Sequence, residues 1–411
     1  MMNKKMNKKK LINDPVYGFL TLPDALLYDL LEHPYFQRLR RIRQLGMGEW
    51  VYPGASHTRF HHALGALQLM CKALDKLRQK GVEITDEEYQ AACAAILLHD
   101  IGHGPFSHTL EHALVEELMH EKISILIMER MNREMGGKLD LAIEIFCNRY
   151  PKAFLNQLIS SQLDMDRLDY LSRDSFYTGV SEGVVSANRI INMLHVVNNQ
   201  LVVEEKGIYS IEKFIIARRL MYWQVYLHKT VLAAELLLRQ ILLRAKWLAD
   251  QGKAPYATPF LEPFLYHPPG IQDFEQNTEE WLPKFVMLDD SDIIVSIKAW
   301  QMNPDRVLSL LSRAFVERKL PKISLSNEEF SHQTYTTLLN KTAKQYNITA
   351  EEASYLVQRG SVANHAYKQD RMAISILRKD GSVADVTRVS DNYNLTALQE
   401  TVTKYYVSAL P

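Results

Sequence analysis

Cysteine is scarce in this chain: Cys71, Cys93 and Cys147 are the only three in 411 residues. They are widely spaced, form no CxxC pair and are odd in number. That excludes a disulfide framework and suits a reducing, cytoplasmic compartment. Net charge is also missing. Lys+Arg and Asp+Glu both number 48, so no global field draws nucleic acid or an anionic membrane, and any affinity for phosphate has to come from a local cluster. No apolar run reaches the ~18 residues that a membrane span needs. The N-terminal MMNKKMNKKK is basic but lacks the apolar stretch of a secretory signal, and reads as a solubilising tail. Internal repeats are absent. What is present is ordinary globular composition, 47% hydrophobic over 411 residues, enough for a sizeable core in two or three structural units.

Helical periodicity dominates the first 250 residues. Phe60, Leu64, Leu67, Cys71 and Leu74 recur at helical spacing. Thr85 followed by Glu88 is a capping-box pattern. From Tyr89 to His99 there is no charged residue, so that helix is expected to be buried nearly all round. Residues 111–135 and 154–172 carry the same period, and a long amphipathic pattern runs from Ile211 to Leu248. Prolines 255, 259, 263, 268 and 269 with Gly270 mark a connecting segment. Helices resume over residues 273–314. Residues 372–389 then alternate around Asp380-Gly381, a hairpin signal. The expected fold is mainly α, with a helical core over residues 1–250 and a helical and mixed α/β region over 251–411 that contains a hairpin.

The stretch LLHDIGHGPFSH, residues 97–108, sets three histidines and an aspartate at the end of the apolar helix. Gly102, Gly104 and Pro105 stop the helix just after Asp100. A carboxylate there faces the negative end of the helix dipole in apolar surroundings. Left unpaired, it costs several kcal/mol, on the order of the stability of a whole domain. Asp100 therefore needs a strong positive partner. A metal ion with His99 as co-ligand supplies one; an arginine, with His99 as a hydrogen-bonded core residue, supplies another. Two further stretches add candidates. SHTRFHHALG places His57, His61 and His62 at a helix start. QLDMDRLDYLSRD carries Asp164, Asp166 and Asp169, with Asp166, Asp169, Tyr170 and Arg173 on one helix face. Three helices can then bring two imidazoles and two carboxylates to one divalent ion. Mixed N/O ligation suits manganese, iron, zinc or nickel better than magnesium, though all five stay open.

The ordered series NDPVYG (13–18), HPYFQRLRRIRQLG (33–46), PGASHTRFHHALG (53–65), HDIGHGPFSH (99–108) and DMDRLDYLSRD (164–174) resembles the HD-domain metal-dependent phosphohydrolases. It is most similar to the deoxynucleoside triphosphate triphosphohydrolases of the sterile-alpha-motif/HD type, as a bacterial-style member without that motif. The resemblance spans roughly the first 230 residues by pattern. It implies an HD-domain core and a metal quartet of His62, His99, Asp100 and Asp166, with His61 on the helix surface or just behind the ligands and Asp164 as a structural neighbour of Asp166. It implies catalytic helpers at His108, Glu111, His120 and His103. Phosphate and sugar contacts fall to Arg59, Arg167, Tyr170, Arg173, Arg218, Tyr226 and Lys229. A triphosphate carries about four negative charges, so several cations and a metal are needed. Gln44 and Leu45 match positions that meet the deoxyribose, where a tight wall rejects a 2′-hydroxyl. A guanine-type activator site would use Lys10, Gln37 and Arg40, with Glu32 standing where an aspartate is expected.

The implied activity is metal-dependent hydrolysis of deoxynucleoside triphosphates to deoxynucleoside and triphosphate, in a cytoplasmic homo-oligomer (dimer or tetramer) that a nucleotide activates. Two alternatives stay open. One is another HD phosphohydrolase, a nucleotidase or cyclic-nucleotide phosphodiesterase. The other is a non-catalytic nucleotide or nucleic-acid binding module, against which the balanced charge and the intact quartet both argue.

Overall fold

The computed structural model describes residues 11–106, 109, 119–364, 373–391 and 401–411. The chain is mainly helical, with small sheets that gather toward its C-terminal part. It opens on a tight hairpin in which β1 (Leu11–Asp14) pairs antiparallel with β2 (Gly18–Thr21). Asp14 Oδ1 closes the turn by accepting the N–H groups of Val16 and Tyr17, both at 2.9 Å.

Seven helices frame the interior. They are α1 (Ala25–Glu32), α2 (Arg59–Gln79), α3 (Asp86–Leu98), α4 (His120–Glu134), α5 (Met165–Thr178), α6 (Ile208–Met221) and α7 (Lys229–Asp250). The expected capping box starts α3: Glu88 N–H donates to Thr85 Oγ1 at 3.1 Å and Thr85 N–H to Glu88 Oε2 at 2.8 Å. As its lack of charge predicted, α3 is buried on every side from Ala91 to Leu98. It packs between α1, α2 and the short helix Asp140–Phe146. The long pattern from Ile211 to Leu248 is two helices, not one. A π-helical turn, Tyr222–Tyr226, ends α6, and His228 caps α7 through a hydrogen bond from Thr230 N–H. Such a turn widens the helix and re-aims its side chains.

The expected C-terminal hairpin is present as β7 (Ser375–Leu377) and β8 (Val383–Asp385), shorter than its alternation suggested because residues 386–389 turn helical. Its Met372 lies outside the described residues. It does not stand alone. With β3 (Leu194–Val197) and β4 (Gln200–Glu204) it forms a four-stranded sheet, β4 running parallel to β7. A separate three-stranded antiparallel sheet, in the order β5-β9-β6, is made of β5 (Lys322–Ser326), β9 (Val402–Ala409) and β6 (Val357–Asn364). One apolar cluster runs from Leu20 through Leu64 and Leu97 to Phe285 and Leu410, so residues on both sides of the proline-rich segment share a core.

Candidate metal centre and cavity

Three helix ends meet at His62, on the first turn of α2, at His99 just past α3, and at Asp166 on the first turn of α5. Each imidazole has its Nδ1 committed elsewhere. His62 Nδ1 bonds Asp169 Oδ2 at 2.7 Å, and His99 Nδ1 bonds the Ile96 carbonyl at 2.7 Å. Both Nε2 atoms therefore face one point, 3.4 Å apart. Asp166 Oδ1 joins them at 3.1 Å from His62 Nε2 and 3.5 Å from His99 Nε2. Asp100 lies beside them, with Oδ1 at 3.4 Å from His99 Nε2 and Oδ2 at 3.8 Å from His62 Nε2. Metal bonds of about 2.1 Å separate neighbouring donors by roughly 3.0–3.4 Å. The donors of His62, His99 and Asp166 sit at or slightly beyond that spacing, so these three fit a divalent ion, while Asp100 also groups with His103 and His120. The two positive partners weighed for Asp100 both exist, since Arg59 Nη1 also pairs with Asp100 Oδ2.

The electrostatics follow from this crowding. Burial alone would depress the His62 imidazole, but Asp166 and Asp169 outweigh it and push it up to about 10. Burial would raise the Asp100 carboxyl, yet the His99, His103 and Arg59 charges hold it well below the usual carboxylate range. The pocket thus concentrates negative potential where a cation would sit.

Behind these side chains runs a buried chain of hydrogen bonds. Asp169 receives His62 and is gripped by Arg173, whose Nε donates to Asp169 Oδ2 at 2.9 Å and whose Nη1 donates to Asp14 Oδ2 at 2.8 Å. The NDPVYG hairpin is therefore the far anchor of the His62 ring. A similar brace holds the HD turn. Ser124 Oγ of α4 donates to the His99 carbonyl and accepts the Gly102 N–H, both at 2.9 Å. A Cβ on Gly102 would run into the His120 carbonyl and Ser124 backbone, so that approach requires glycine. The guanidinium of Arg38, fully buried, donates to the carbonyls of His103 at 2.7 Å, Leu288 at 2.9 Å and Ile101 at 3.3 Å. Asp290 accepts the N–H groups of Phe106 at 2.8 Å and Arg43 at 2.9 Å. The C-terminal region, silent in the sequence, thus clamps the HD loop.

The donors open on a cavity of about 760 Å³. Its wall includes Gln44, Leu45, Arg59, His103, His120, Arg167, Tyr170 and Tyr226 from the expected set. The His103 and His120 rings stack at 3.8 Å, and burial together with Arg59 holds His103 well below the usual imidazole range. Gln44 Oε1 is buried without a hydrogen-bond partner among the described residues. Asp164 caps α5 by accepting the Ser161 and Arg167 N–H groups, each at 2.7 Å, and His61 Nδ1 accepts the Thr58 N–H at the start of α2. Each ties down the start of its helix.

Three expected substrate contacts lie elsewhere. Arg173 is spent on Asp169 and Asp14 and does not reach the wall. Arg218 donates to Gln162 at 2.9 Å, and Lys229 is exposed at the start of α7; neither lines the cavity. Shared helix spacing had grouped Arg173 with Asp166. The α5 face divides instead, with Asp166, Tyr170 and Asp174 toward the cavity and Asp169 and Arg173 toward the core. Asp174 was missed. It lines the wall and accepts His57 Nε2 at 2.7 Å and the Tyr226 hydroxyl at 2.8 Å. Its i+8 spacing from Asp166 was the available signal. Tyr222 and Glu235 also line the wall unforeseen. Glu32 and Arg40 are exposed and Gln37 is bonded to Arg40 at 2.8 Å, all away from the cavity. His108, Glu111 and Lys10 lie outside the described residues.

Residues 59–174 match the HD domain and residues 185–252 the HD associated region. The crystal structure of a phosphohydrolase from Bacteroides thetaiotaomicron is 50% identical, superposes with a TM-score of 0.95, and pairs 98% of this chain with 100% of that one. YwfO of Bacillus subtilis is 35% identical over 401 residues, covering 94% of this chain and 89% of that protein. The chain belongs to the HD-domain phosphohydrolase family. HD domains bind divalent metals, and a metal-dependent hydrolase is what membership supports. Among HD relatives, the deoxynucleoside triphosphate triphosphohydrolase SAMHD1 homolog of Dictyostelium discoideum is 33% identical over 269 residues, 60% of this chain and 52% of that protein. No helix among the described residues is long and apolar enough to cross a membrane.

Proposed function

We propose that this HD protein hydrolyses deoxynucleoside triphosphates to deoxynucleoside and inorganic triphosphate. The observation that carries the reading is the convergence of His62, His99 and Asp166, with Asp100 beside them, at the edge of a cavity of about 760 Å³ that Arg59, Arg167 and Gln44 also line. A divalent cation held by that quartet supplies Lewis acidity for phosphoryl transfer to water. Arg59 and Arg167 neutralise the polyphosphate, and Tyr170 flanks it. Gln44 offers its unused carbonyl oxygen to a sugar hydroxyl, while Leu45 closes the wall beside it. The α-phosphorus bond to the 5′-oxygen breaks, and His108, oriented by Glu111, returns a proton to that oxygen. His103, buried and held neutral, and His120 stacked on it serve as further proton acceptors or donors. The reading extends to a homo-oligomer, with a nucleotide activator held by Lys10, Glu32, Gln37 and Arg40.

The test is incubation of the protein with each dNTP and NTP under manganese, iron, zinc, nickel and magnesium, with products resolved by chromatography. Deoxynucleoside plus triphosphate supports the reading. Orthophosphate or a mononucleotide replaces it with a nucleotidase or phosphodiesterase, and binding without turnover under every metal replaces it with a sensing module. Asp166→Ala should lose bound metal and turnover while keeping the fold.

A further inference from the structure

Cys71 and Cys93 have no spacing that marks them as a pair, yet α2 and α3 pack side by side and bring their sulfurs to 3.6 Å. Cys71 is half-buried and Cys93 fully buried. The hydrogen bond from Cys93 lowers the Cys71 thiol against the effect of burial, and the Tyr89 hydroxyl assists by bonding the same sulfur. Burial holds the Cys93 thiol well above its usual range. One sulfur is therefore the easier to ionise and the nearer to solvent, while the other is withheld from solvent but in contact with it. His62 lies on the first of these helices, and His99 directly follows the second.

We propose that Cys71 and Cys93 form a peroxide-oxidisable dithiol that reversibly cross-links α2, which bears His62, to α3, which leads directly into His99. The Cys71 thiolate attacks one oxygen of hydrogen peroxide. The O–O bond breaks and hydroxide leaves, to be protonated to water, which makes Cys71 a sulfenic acid. Cys93 then gives up its thiol proton and attacks that sulfur. The S–S bond forms, the S–O bond breaks, and the hydroxide leaves as a second water. The two cysteines lose two electrons and the peroxide gains them. A disulfide bond is about 2.05 Å long, so from 3.6 Å the sulfurs close by roughly 1.5 Å. In a reducing compartment the pair rests as thiols and oxidises only when peroxide rises.

The experiment treats the full, folded chain with hydrogen peroxide, blocks free thiols and maps peptides by mass spectrometry. Expected are a Cys71–Cys93 linked peptide, loss of two hydrogens in mass, and full reversal by dithiothreitol. In Cys93→Ser, Cys71 should instead be trapped by dimedone as a sulfenic acid. The thermal midpoint of the oxidised wild type should rise by several degrees, since the link closes a loop of about 20 residues in the unfolded chain. That rise should be absent in Cys71→Ser. Recovery of Cys71 and Cys93 as separately blocked thiols from peroxide-treated folded protein overturns the proposal, as does a midpoint that fails to rise. The wild-type peptide map decides the matter even where a variant does not fold.

Discussion

Glu235 stands on the cavity wall in α7 with the Thr109 hydroxyl as a partner, and burial pushes its carboxyl up to about 7. Its folded pKa is raised, so it is neutral below pH 7 and gains charge as pH rises through 7. A new negative charge on the wall repels a polyphosphate. At an effective dielectric of ~20 and a separation near 10 Å a like charge costs about 1–2 kcal/mol, roughly fivefold to thirtyfold in binding. The KM for a triphosphate should therefore climb above pH 7 in the wild type and stay flat in Glu235→Gln. Identical pH profiles for the two would remove this role. No motif pointed to Glu235, because an acidic residue on an amphipathic helix reads as solvent-facing until the neighbouring elements close over it. Asp100 was legible for the opposite reason. Asp100 sits where an ion without a counter-charge is costly, and that cost can be read from helix-end signals alone.

At the scale of elements, the packing of α2 on α5 sets His62. A Cβ on Gly65 would overlap Asp169 Oδ1 and Arg173 Nη2. Gly65→Ala should force that buried pair apart, destabilise the fold by about 1–3 kcal/mol, and weaken metal binding through the loosened His62 ring. Denaturant midpoints and metal titration check both effects, and an unchanged metal affinity would separate His62 from its brace. Glu88 does comparable work at the start of α3. It caps the helix and also receives the Tyr150 hydroxyl at 2.7 Å and Lys152 Nζ at 2.9 Å. Burial raises its carboxyl, but Lys152, Tyr150 and the Thr85 N–H together hold it below the usual range. A depressed folded pKa means the stabilisation is complete above the unfolded value near 4.5 and is lost as pH falls through the folded value. Acid titration of Glu88→Gln should show a shallower stability loss below that point than the wild type. The capping box was readable from Thr85 and Glu88 alone. The strands β3 and β4 were missed inside an apparently helical region, although Asn198 and Asn199, both at positive φ (50° and 61°), make the tight turn that asparagine tolerates.

For the whole molecule, the proposed ion joins α2, the end of α3 and α5, so its binding free energy adds to folding. A cation that binds only the folded chain contributes about 2.7 kcal/mol at a hundredfold excess over its Kd. Manganese should raise the thermal midpoint by a few degrees, a chelator should reverse it, and His62→Ala should show no rise. A rise that persists in that variant would place the ion elsewhere. The proline-rich segment 251–270 was read as a connection, and most of it is irregular. Yet Leu288, Asp289 and Asp290 beyond it reach back to Arg38, Arg41 and Arg43, as β7 reaches back to β4.

By itself the sequence determined the helical character, the capped and buried α3, and the need of Asp100 for a positive partner, because each rests on a local rule of spacing, burial or charge cost; the choice of His62, His99 and Asp166 beside it came from the resemblance. Only the tertiary structure decided which face of α5 meets the cavity, that Arg173 serves Asp169 and not a ligand, and that Cys71 meets Cys93. Those outcomes depend on how helices far apart in the chain are set against one another, and no period along one segment encodes that.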